Sequence, residues 1–196
     1  MPISSSVGSL SYLTEEIPGI GGVIKQRPEE FLVEEQPLYD LDGEGEYLYL
    51  FIEKCRRTTS DVVRLLAKAF HVSRSDIGYA GLKDKHAIAR QHFSIYLPGD
   101  QDDQQLIGRI TYNGLTLIWA QRHTNKLRRG HLSGNRFVIY IRDVKPTAVL
   151  QTKKVMDRLI ALGMPNFIGP QRFGYRQNND SLGRLLLLEE WQEFLD

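Results

Sequence analysis

The sequence contains a single cysteine and lacks the patterns that mark exported and membrane proteins. Cys55 cannot form a disulfide within the chain, which is typical of proteins in a reducing compartment. No run of about eighteen apolar residues is present, and the first residues do not combine a basic segment with an apolar run. We therefore expect no export signal and no membrane span, and we predict a cytoplasmic protein.

Metal-binding and phosphate-binding patterns are missing as well. The five histidines have no metal-ligand spacing supported by cysteines or paired carboxylates, so we predict no metal site. There is no glycine-rich phosphate loop and no nucleophile elbow. With 41% hydrophobic and 25% charged residues, the 196 residues have the composition of a globular chain with one ordinary domain or at most two small ones.

The formal net charge of +1 hides an uneven distribution of charges along the chain. Residues 29–46 contain acidic side chains and no basic one, so this stretch is expected to repel phosphate. Residues 122–145 contain seven lysines and arginines against the single acid Asp143. This second stretch is expected to attract a polyanion such as a nucleic acid.

The hydrophobic pattern predicts an α+β fold, with a mostly antiparallel sheet and helices packed on one face. Residues 47–52 are apolar on both alternating faces, which indicates a central strand. Residues 100–105 are polar and predict a connector. The other predicted elements are strands over residues 22–27, 31–35, 92–97, 115–120 and 136–142, a short helix near Ser73, and helices from Thr59 or Ser60, over 147–162 and over 181–195.

The last predicted helix presents an apolar face without an obvious cover. Leucines and Trp191 recur on one side of residues 181–195. That face either docks back onto the sheet or contacts a partner surface that these residues do not include.

Residues 80–87, AGLKDKHA, place one carboxylate between two lysines in a glycine-containing loop. Nearby positive charge favours the ionised form of a carboxylate, so Asp84 is a candidate nucleophile or general base. The alternative is a solvated turn, which a Lys-Asp-Lys sequence taken by itself favours.

Two further loops combine polar side chains with glycines and aromatic residues. Residues 125–137, NKLRRGHLSGNRF, pair guanidinium groups suited to phosphate with an aromatic ring that could stack on a base. The alternative is a solvated basic hairpin in which Phe137 begins the core of the next strand. Residues 165–174, PNFIGPQRFG, are typical of a functional loop, although Phe167 and Phe173 could equally pin the loop to the core.

These stretches, taken in this order, resemble the TruD family of tRNA pseudouridine synthases. Residues 80–87 resemble the catalytic motif of the family, and residues 165–174 resemble its PNYFGxQRFG signature, with Phe167 and Ile168 in place of Tyr and Phe. Residues 25–35, KQRPEEFLVEE, are similar to a KxxPEDFxVxE stretch of the family. The resemblance extends over most of the chain and implies the pseudouridine synthase catalytic fold.

The resemblance implies isomerisation of a tRNA uridine to pseudouridine by an aspartate nucleophile without a cofactor; in bacteria this is the uridine at tRNA position 13. By this matching Asp84 is the nucleophile and Lys25 keeps it ionised. Phe31, Asn135 and Phe137 would line the uracil pocket. Contacts with RNA are assigned to Lys83, Lys85, Arg122, Lys126, Arg128, Arg129, Gln171 and Arg172.

Members of the family are substantially longer than 196 residues. The resemblance therefore implies that residues 1–196 form the N-terminal portion of a pseudouridine synthase catalytic domain, without the family's insertion domain and C-terminal part. Three interpretations stay open: a catalytic half completed by a second polypeptide, a non-catalytic RNA-binding fragment, and an interaction subunit. We do not expect full activity from this chain alone.

Overall fold

The computed structural model describes residues 12–99, 102–166, 169, 173–174 and 176–195. The chain divides into two compact units. One unit is Ile20–Pro146, and the other comprises Met1–Gly19 and Thr147–Asp196. The first unit contains the sheet and the candidate nucleophile Asp84.

The first unit has a mixed sheet in which most neighbours run antiparallel. Its strand order is β6-β3-β5-β2-β7, with β4 added beside β5, while β1 and β8 form a separate antiparallel pair. Only the β2–β5 pair is parallel among the described strands. The bounds are β1 Gly21–Val23, β2 Phe31–Pro37, β3 Tyr47–Cys55, β4 Ile77–Tyr79, β5 Ile88–Tyr96, β6 Leu115–His123, β7 Leu132–Ile139 and β8 Arg142–Val144.

Strand β3 lies at the centre of the core, as its apolar pattern predicted. It pairs with β5 on one side and with β6 on the other. Leu48, Leu50 and Ile52 point to one face and are at most 1% exposed. Burial of each such side chain contributes about 1.5–3 kcal/mol.

Helix α1, Thr59–Phe70, covers that face of the sheet. Its buried residues recur at three- and four-residue spacing, which is why the sequence predicted it. The cap is Thr58 rather than the predicted Thr59 or Ser60, because the Thr58 side chain and Asp61 form a reciprocal capping box. The helix ends at His71, which adopts the left-handed conformation with φ 54°.

The predicted connector at residues 100–105 contains the beginning of a short helix. Helix α2, Asp103–Ile107, is capped by the Asp102 carboxylate, which accepts hydrogen bonds from two backbone amides. Leu106 is buried in the same core as α1. Both helices of this unit therefore pack into one core on one side of the sheet, which confirms the predicted α+β class. A 3₁₀ turn, Arg74–Asp76, replaces the predicted short helix near Ser73.

The strand predicted over residues 136–142 is divided into two. Strand β7 follows β2 as far as the Phe31–Ile139 pair, and β8 then pairs with β1. The chain leaves one ladder for the other because β2 is preceded by a 3₁₀ turn, Pro28–Glu30. Asp143 within β8 has a positive φ of 53°.

The described helices of the second unit lie within residues 148–195. Helix α3 is Ala148–Leu162, which confirms the predicted helix over residues 147–162. The single helix predicted over residues 181–195 is wrong, since α4 is Asn179–Leu187 and α5 is Trp191–Leu195, with Glu189 between them at φ 58°. Among the helices that the structure describes, none is long and apolar enough to cross a membrane.

Strands β2 and β4 share one side of β5 and leave a gap between them. Residues 88–90 of β5 pair with β2, whereas residues 93–95 pair with β4. The loop of residues 80–87 leaves β4 and returns as β5. This topology brings the loop next to the point where β2 separates from β5.

Candidate active site

Asp84 lies on the loop that joins β4 to β5, and its side chain is 51% exposed. Its Oδ2 atom is 2.5 Å from the Nζ atom of Lys25, which follows β1. The two residues are 59 positions apart in sequence, so the fold brings them together. The predicted nucleophile and its predicted basic partner form an ion pair that is open to solvent.

Two aromatic rings adjoin this ion pair. The Lys25 ammonium group lies 3.9 Å from the centroid of the Phe31 ring, whose negative face attracts a cation. Phe31 meets Phe137 edge-on, with ring centroids 5.8 Å apart and an interplanar angle of 62°. Lys25 itself has φ 59°, a left-handed conformation that is strained for a residue with a side chain. Strained backbone of this kind is often found at functional sites.

Strand register places Asn135 on the same face of β7 as Phe137. Val33 of β2 lies opposite Phe137, and Glu35 lies opposite Asn135. Because side chains alternate along a strand, both residues of β7 project from one side. Asn135 is exposed and Phe137 is 53% exposed. The three predicted pocket residues therefore share one open surface, which Lys25 links to Asp84.

Lys83 does not lie where a contact with RNA requires it. Its ammonium group is 2.6 Å from Oε2 of Glu35, and the two side chains are 5% and 1% exposed. Burial raises the pKa of Glu35, but hydrogen bonds from His92 and Lys83 outweigh that effect and leave the pKa below its usual value. A cation paired in this way anchors the loop, so the predicted RNA-binding role of Lys83 does not agree with the structure.

The backbone of the loop is held by further buried polar groups. The amide of Lys83 donates a hydrogen bond of 3.0 Å to Oγ1 of Thr59 at the beginning of α1. That hydroxyl donates to the side chain of Gln91, whose amide nitrogen donates to the carbonyl oxygen of Gly81. Thr59 and Gln91 are at most 2% exposed. The loop is thus fixed to both α1 and β5.

Lys54 on β3 supplies the remaining anchor, and its side chain is 1% exposed. Its Nζ atom donates hydrogen bonds to the carbonyl oxygens of Arg57 at 2.7 Å, Lys83 at 3.2 Å and Asp84 at 2.8 Å. Burial lowers the pKa of Lys54 to about 8, while the negative charge of Asp84 acts in the opposite direction.

These anchoring residues were not predicted from the sequence, although one signal was present. Leu48, Leu50, Ile52 and Lys54 are alternate residues of β3, and the first three belong to the core. A lysine that continues an inward-facing apolar row must be buried with partners or lie at the end of the strand. Glu35 and Gln91 gave no comparable signal, because their partners are distant in sequence.

Three of the predicted RNA-binding cations are exposed on the surface: Lys85, Arg128 and Arg129. The Arg129 guanidinium lies 5.5 Å from the centre of the Tyr79 ring and donates a 3.0 Å hydrogen bond to the Tyr79 hydroxyl. Tyr79 is the last residue of β4, directly before the Asp84 loop. These cations are therefore accessible to solvent, and their contact with RNA stays a prediction.

Arg122 and Lys126 are engaged within the protein. Arg122 forms a two-pronged ion pair with Asp103 and donates a 2.7 Å hydrogen bond to the carbonyl oxygen of Leu97. Its side chain is only 14% exposed, so the structure does not agree with the predicted RNA contact. The Lys126 ammonium group donates a hydrogen bond to the carbonyl oxygen of Ser75.

The remaining two predicted RNA-binding residues, Gln171 and Arg172, lie outside the described residues. They belong to the loop of residues 165–174, within which the structure describes residues 165–166, 169 and 173–174. Of the two phenylalanines considered as anchors of that loop, Phe173 is 38% exposed and Phe167 is outside the described residues.

The acidic stretch of residues 29–46 is partly neutralised by the fold. Of its eight carboxylates, three are paired with a lysine or arginine and a fourth with a histidine from later in the chain, although the stretch itself contains no basic residue. The expected repulsion of phosphate is therefore weaker than the sequence predicted. The pairs are Glu30–Arg142, Glu34–Arg90, Glu35–Lys83 and Asp42–His123.

Comparison with known proteins identifies the family. The family model described as "tRNA pseudouridine synthase D (TruD)" matches residues 6–196. The chain belongs to the TruD family. This result confirms the resemblance that the motifs predicted. Proteins named tRNA pseudouridine synthase D from Syntrophotalea carbinolica and Thermus thermophilus are 42% and 47% identical to the chain over 183 and 178 residues.

A solved TruD structure supports the fold assignment. The crystal structure of a Methanosarcina mazei protein described as tRNA pseudouridine synthase D matches with a TM-score of 0.77 at 31% identity. It covers 94% of this chain, and this chain covers 42% of the Methanosarcina mazei chain. The Syntrophotalea and Thermus matches cover 93% and 91% of this chain but 45% and 49% of those TruD proteins. The chain thus spans about half the length of the curated relatives that it matches.

Proposed function

We propose that this chain carries the nucleophile of a tRNA pseudouridine synthase, with the Asp84 carboxylate as the attacking group. The observation that supports this most strongly is the exposed Asp84–Lys25 ion pair beside the Phe31 and Phe137 rings. A carboxylate that is to attack a substrate must be ionised, oriented and accessible. Asp84 has a cationic partner at 2.5 Å and half of its side-chain surface free.

The reaction requires that the target uridine leave its stack in the folded RNA. Phe31 and Phe137 offer aromatic surface on which a flipped base can be held, a contact worth about 1–3 kcal/mol. The exposed amide of Asn135 can pair with the hydrogen-bonding edge of uracil. Binding of the base on this surface would bring it close to the Asp84 carboxylate.

The chemistry that we propose uses no cofactor, because Asp84 supplies the nucleophile and the conversion of one isomer to another involves no net gain or loss of electrons. Attack by Asp84 at C1′ of the ribose or at C6 of the base lets the N1–C1′ bond break. The base then turns and a C5–C1′ bond forms, while the bond between Asp84 and C1′ or C6 breaks and restores the carboxylate. The proton on C5 is released to water, and N1 of the detached base takes up a proton. Loss of the C5 hydrogen is therefore a direct measure of turnover.

The substrate that we propose is the uridine at tRNA position 13. Arg128 and Arg129 would hold the RNA backbone, since phosphate contacts position a nucleic acid more than they select its sequence. We place the reaction in the cytoplasm, where the single cysteine would stay reduced.

Chemical mapping of the product tests this assignment. Unmodified tRNA transcripts with uridine or cytidine at position 13 are incubated with the chain, and pseudouridine is located by carbodiimide labelling and primer extension. We expect a stop at position 13 of the uridine transcript only. Stops at other uridines in both transcripts would contradict the choice of position 13 while keeping the activity.

We further propose that full activity requires the part of the fold that the longer relatives contain and these 196 residues do not. Strand β7 is paired with β2 and with no other described strand. Phe137, Val138 and Ile139 of β7 are 39–53% exposed, on both faces of the strand. Apolar surface of this kind on an edge strand is typical of a surface that another segment covers. The covering segment would come from the same polypeptide or from a second one.

A chimera tests this second proposal. The chain is joined to the part of the Thermus thermophilus relative that lies beyond the matched region, and tritium release from 5-tritiated uridine in tRNA is compared with that of the chain alone. We expect the chimera to be at least about tenfold faster, because a displaced substrate-positioning group costs rate steeply. Equal rates would show that the chain alone is sufficient.

A further inference from the structure

Lys54 is a fully buried cation whose hydrogen bonds all go to backbone oxygens. These oxygens belong to the loop that carries the candidate nucleophile and to the turn before α1. Its three hydrogen bonds go to the carbonyl groups of Arg57, Lys83 and Asp84. A lysine ammonium group has three N–H donors and no acceptor, so every donor is used. The residue that precedes it inward on the same strand, Ile52, is purely apolar.

Such an arrangement is costly if stability is its only purpose. Removing an ammonium group from water is unfavourable even when it is fully hydrogen-bonded, and apolar residues in such places often give an equally stable core. The effect of burial on the Lys54 pKa agrees with that cost. The arrangement offsets this cost with a geometric benefit, because the Lys54 ammonium group connects the end of β3 to both Lys83 and Asp84 in the loop.

The hydrogen bonds of Lys54 act on the backbone of Asp84, whereas Lys25 acts on its carboxylate. Fixing the backbone leaves the side chain free to meet a substrate from the exposed side. The neighbouring anchors, Glu35 and Thr59, hold Lys83 instead. Among the anchoring side chains described above, Lys54 alone contacts the main chain of the nucleophile.

We propose that Lys54 is a positioning residue, whose ammonium group fixes the main chain at Lys83 and Asp84 so that the Asp84 carboxylate is aligned for attack. The effect of Lys54 on catalysis rests on the proposed function. The effect of Lys54 on the loop does not rest on that function, and it can be measured without substrate. Misalignment of a reacting group by about 1 Å can reduce a rate a hundredfold.

Hydrogen exchange of the Lys83 amide tests the structural half of the proposal. That amide is bonded to Thr59 and reports whether the loop stays closed. We expect Lys54→Met to accelerate exchange of the Lys83 amide by about tenfold or more. This factor corresponds to the stabilisation that is lost when a hydrogen bond to a charged group is removed. Amides in the middle of β3 and β5 should keep their rates. Lys68→Met, which changes an exposed lysine of α1, is the matched control and should leave the Lys83 amide unchanged.

Lys54→Gln provides a second variant, since its neutral amide retains two N–H donors. It should give an intermediate exchange rate. Unchanged exchange of the Lys83 amide in Lys54→Met would overturn the proposal. Loss of protection throughout β3 and β5 in both variants would also overturn it, because Lys54 would then support the whole core.

Kinetics separate positioning from a general structural effect. For tritium release from tRNA, we expect Lys54→Met to lower kcat by about tenfold or more while KM changes less than about twofold, because RNA-binding groups are untouched. An increase in KM with unchanged kcat would contradict the proposal. If the wild-type chain releases no tritium, independent catalysis by this chain fails, and the exchange measurement still decides the role of Lys54 in the loop.

Discussion

The two halves of the sheet differ sharply in how they are packed. In β3 and β5, Leu50, Ile52 and Phe93 are completely buried beneath α1. In β7, three strands away from β3, Phe137 and Ile139 are 53% and 43% exposed. Both halves are rich in apolar residues, so composition does not explain the difference. The half that contains β3 and β5 forms a packed core, whereas β7 in the other half leaves its apolar side chains exposed.

The candidate site lies where these two halves meet. Asp84 stands on a loop fixed to the packed half through Lys54, and the predicted base-binding rings belong to β2 and β7 in the open half. A rigid carboxylate beside an accessible aromatic surface suits a reaction on a large substrate, because the reacting group is held while the partner enters.

Truncation of a core aromatic residue should show the largest difference in stability between the two halves of the sheet. Phe93→Ala removes a fully buried ring and should lower the free energy of unfolding by about 3–5 kcal/mol. Phe137→Ala is the matched variant in the open half and should cost less than about 1 kcal/mol. Urea denaturation of both variants measures the difference. Equal losses would mean that β7 is as well packed as β5.

A methyl group added at Gly78 should have the next largest effect. A Cβ atom there would collide with the carbonyl oxygen of Leu127 and the hydroxyl of Ser94. We expect Gly78→Ala to reduce the free energy of unfolding by about 1–3 kcal/mol, as overpacked cores do. Gly134→Ala on β7, where no atom lies within 4 Å of the added carbon, should stay within about 0.5 kcal/mol. Thermal or urea unfolding distinguishes the two.

The charge of Lys54 should make stability depend on pH. Its pKa is about 8 in the folded protein and 10.5 ordinarily, so the unfolded chain binds more protons between these values. The free energy of unfolding should therefore rise with pH across that window, by on the order of 1 kcal/mol. Below pH 8 the full penalty of the buried charge is present. Urea titrations at pH 7.5 and 9.5 should show this rise in the wild type and not in Lys54→Met, whereas equal rises would assign it to other groups.

The smallest effect is expected at the RNA surface. Arg129→Ala should weaken tRNA binding by about fivefold and reduce the salt dependence of binding by about one counterion. Arg64→Ala, which removes an exposed arginine of α1 paired with Asp61, should change neither quantity. Filter binding at several salt concentrations measures both. Equal affinities of the two variants for tRNA would show that Arg129 does not contribute to RNA binding.

Local patterns predicted the elements whose cause is local. Strand β3 and helices α1 and α3 follow from hydrophobic periodicity, and these predictions are confirmed. The interruption between α4 and α5 was missed because the leucines continue through it, although Glu189 takes a left-handed conformation. Hydrophobic spacing alone does not report such a backbone change.

The site was predictable only in its exposed part. The Asp84 motif and its resemblance to the family led to Lys25, Phe31 and Phe137, which the fold brings together. The roles of Lys83 and Arg122 depend on Glu35 and Asp103, which are not their neighbours in sequence. The sequence alone therefore does not distinguish a basic residue that is buried in an ion pair from one that is free. Charge patterns predict a net attraction, and only the fold decides which cations remain available.

The most direct test of the central claim is tritium release from 5-tritiated uridine in unmodified tRNA, measured for the wild-type chain, Asp84→Ala and Asp157→Asn. Asp157 on α3 is the matched control, because it too is an exposed carboxylate paired with a lysine. We predict release by the wild type and by Asp157→Asn, and none by Asp84→Ala. Release by Asp84→Ala at the wild-type rate would contradict the assignment of Asp84 as the nucleophile.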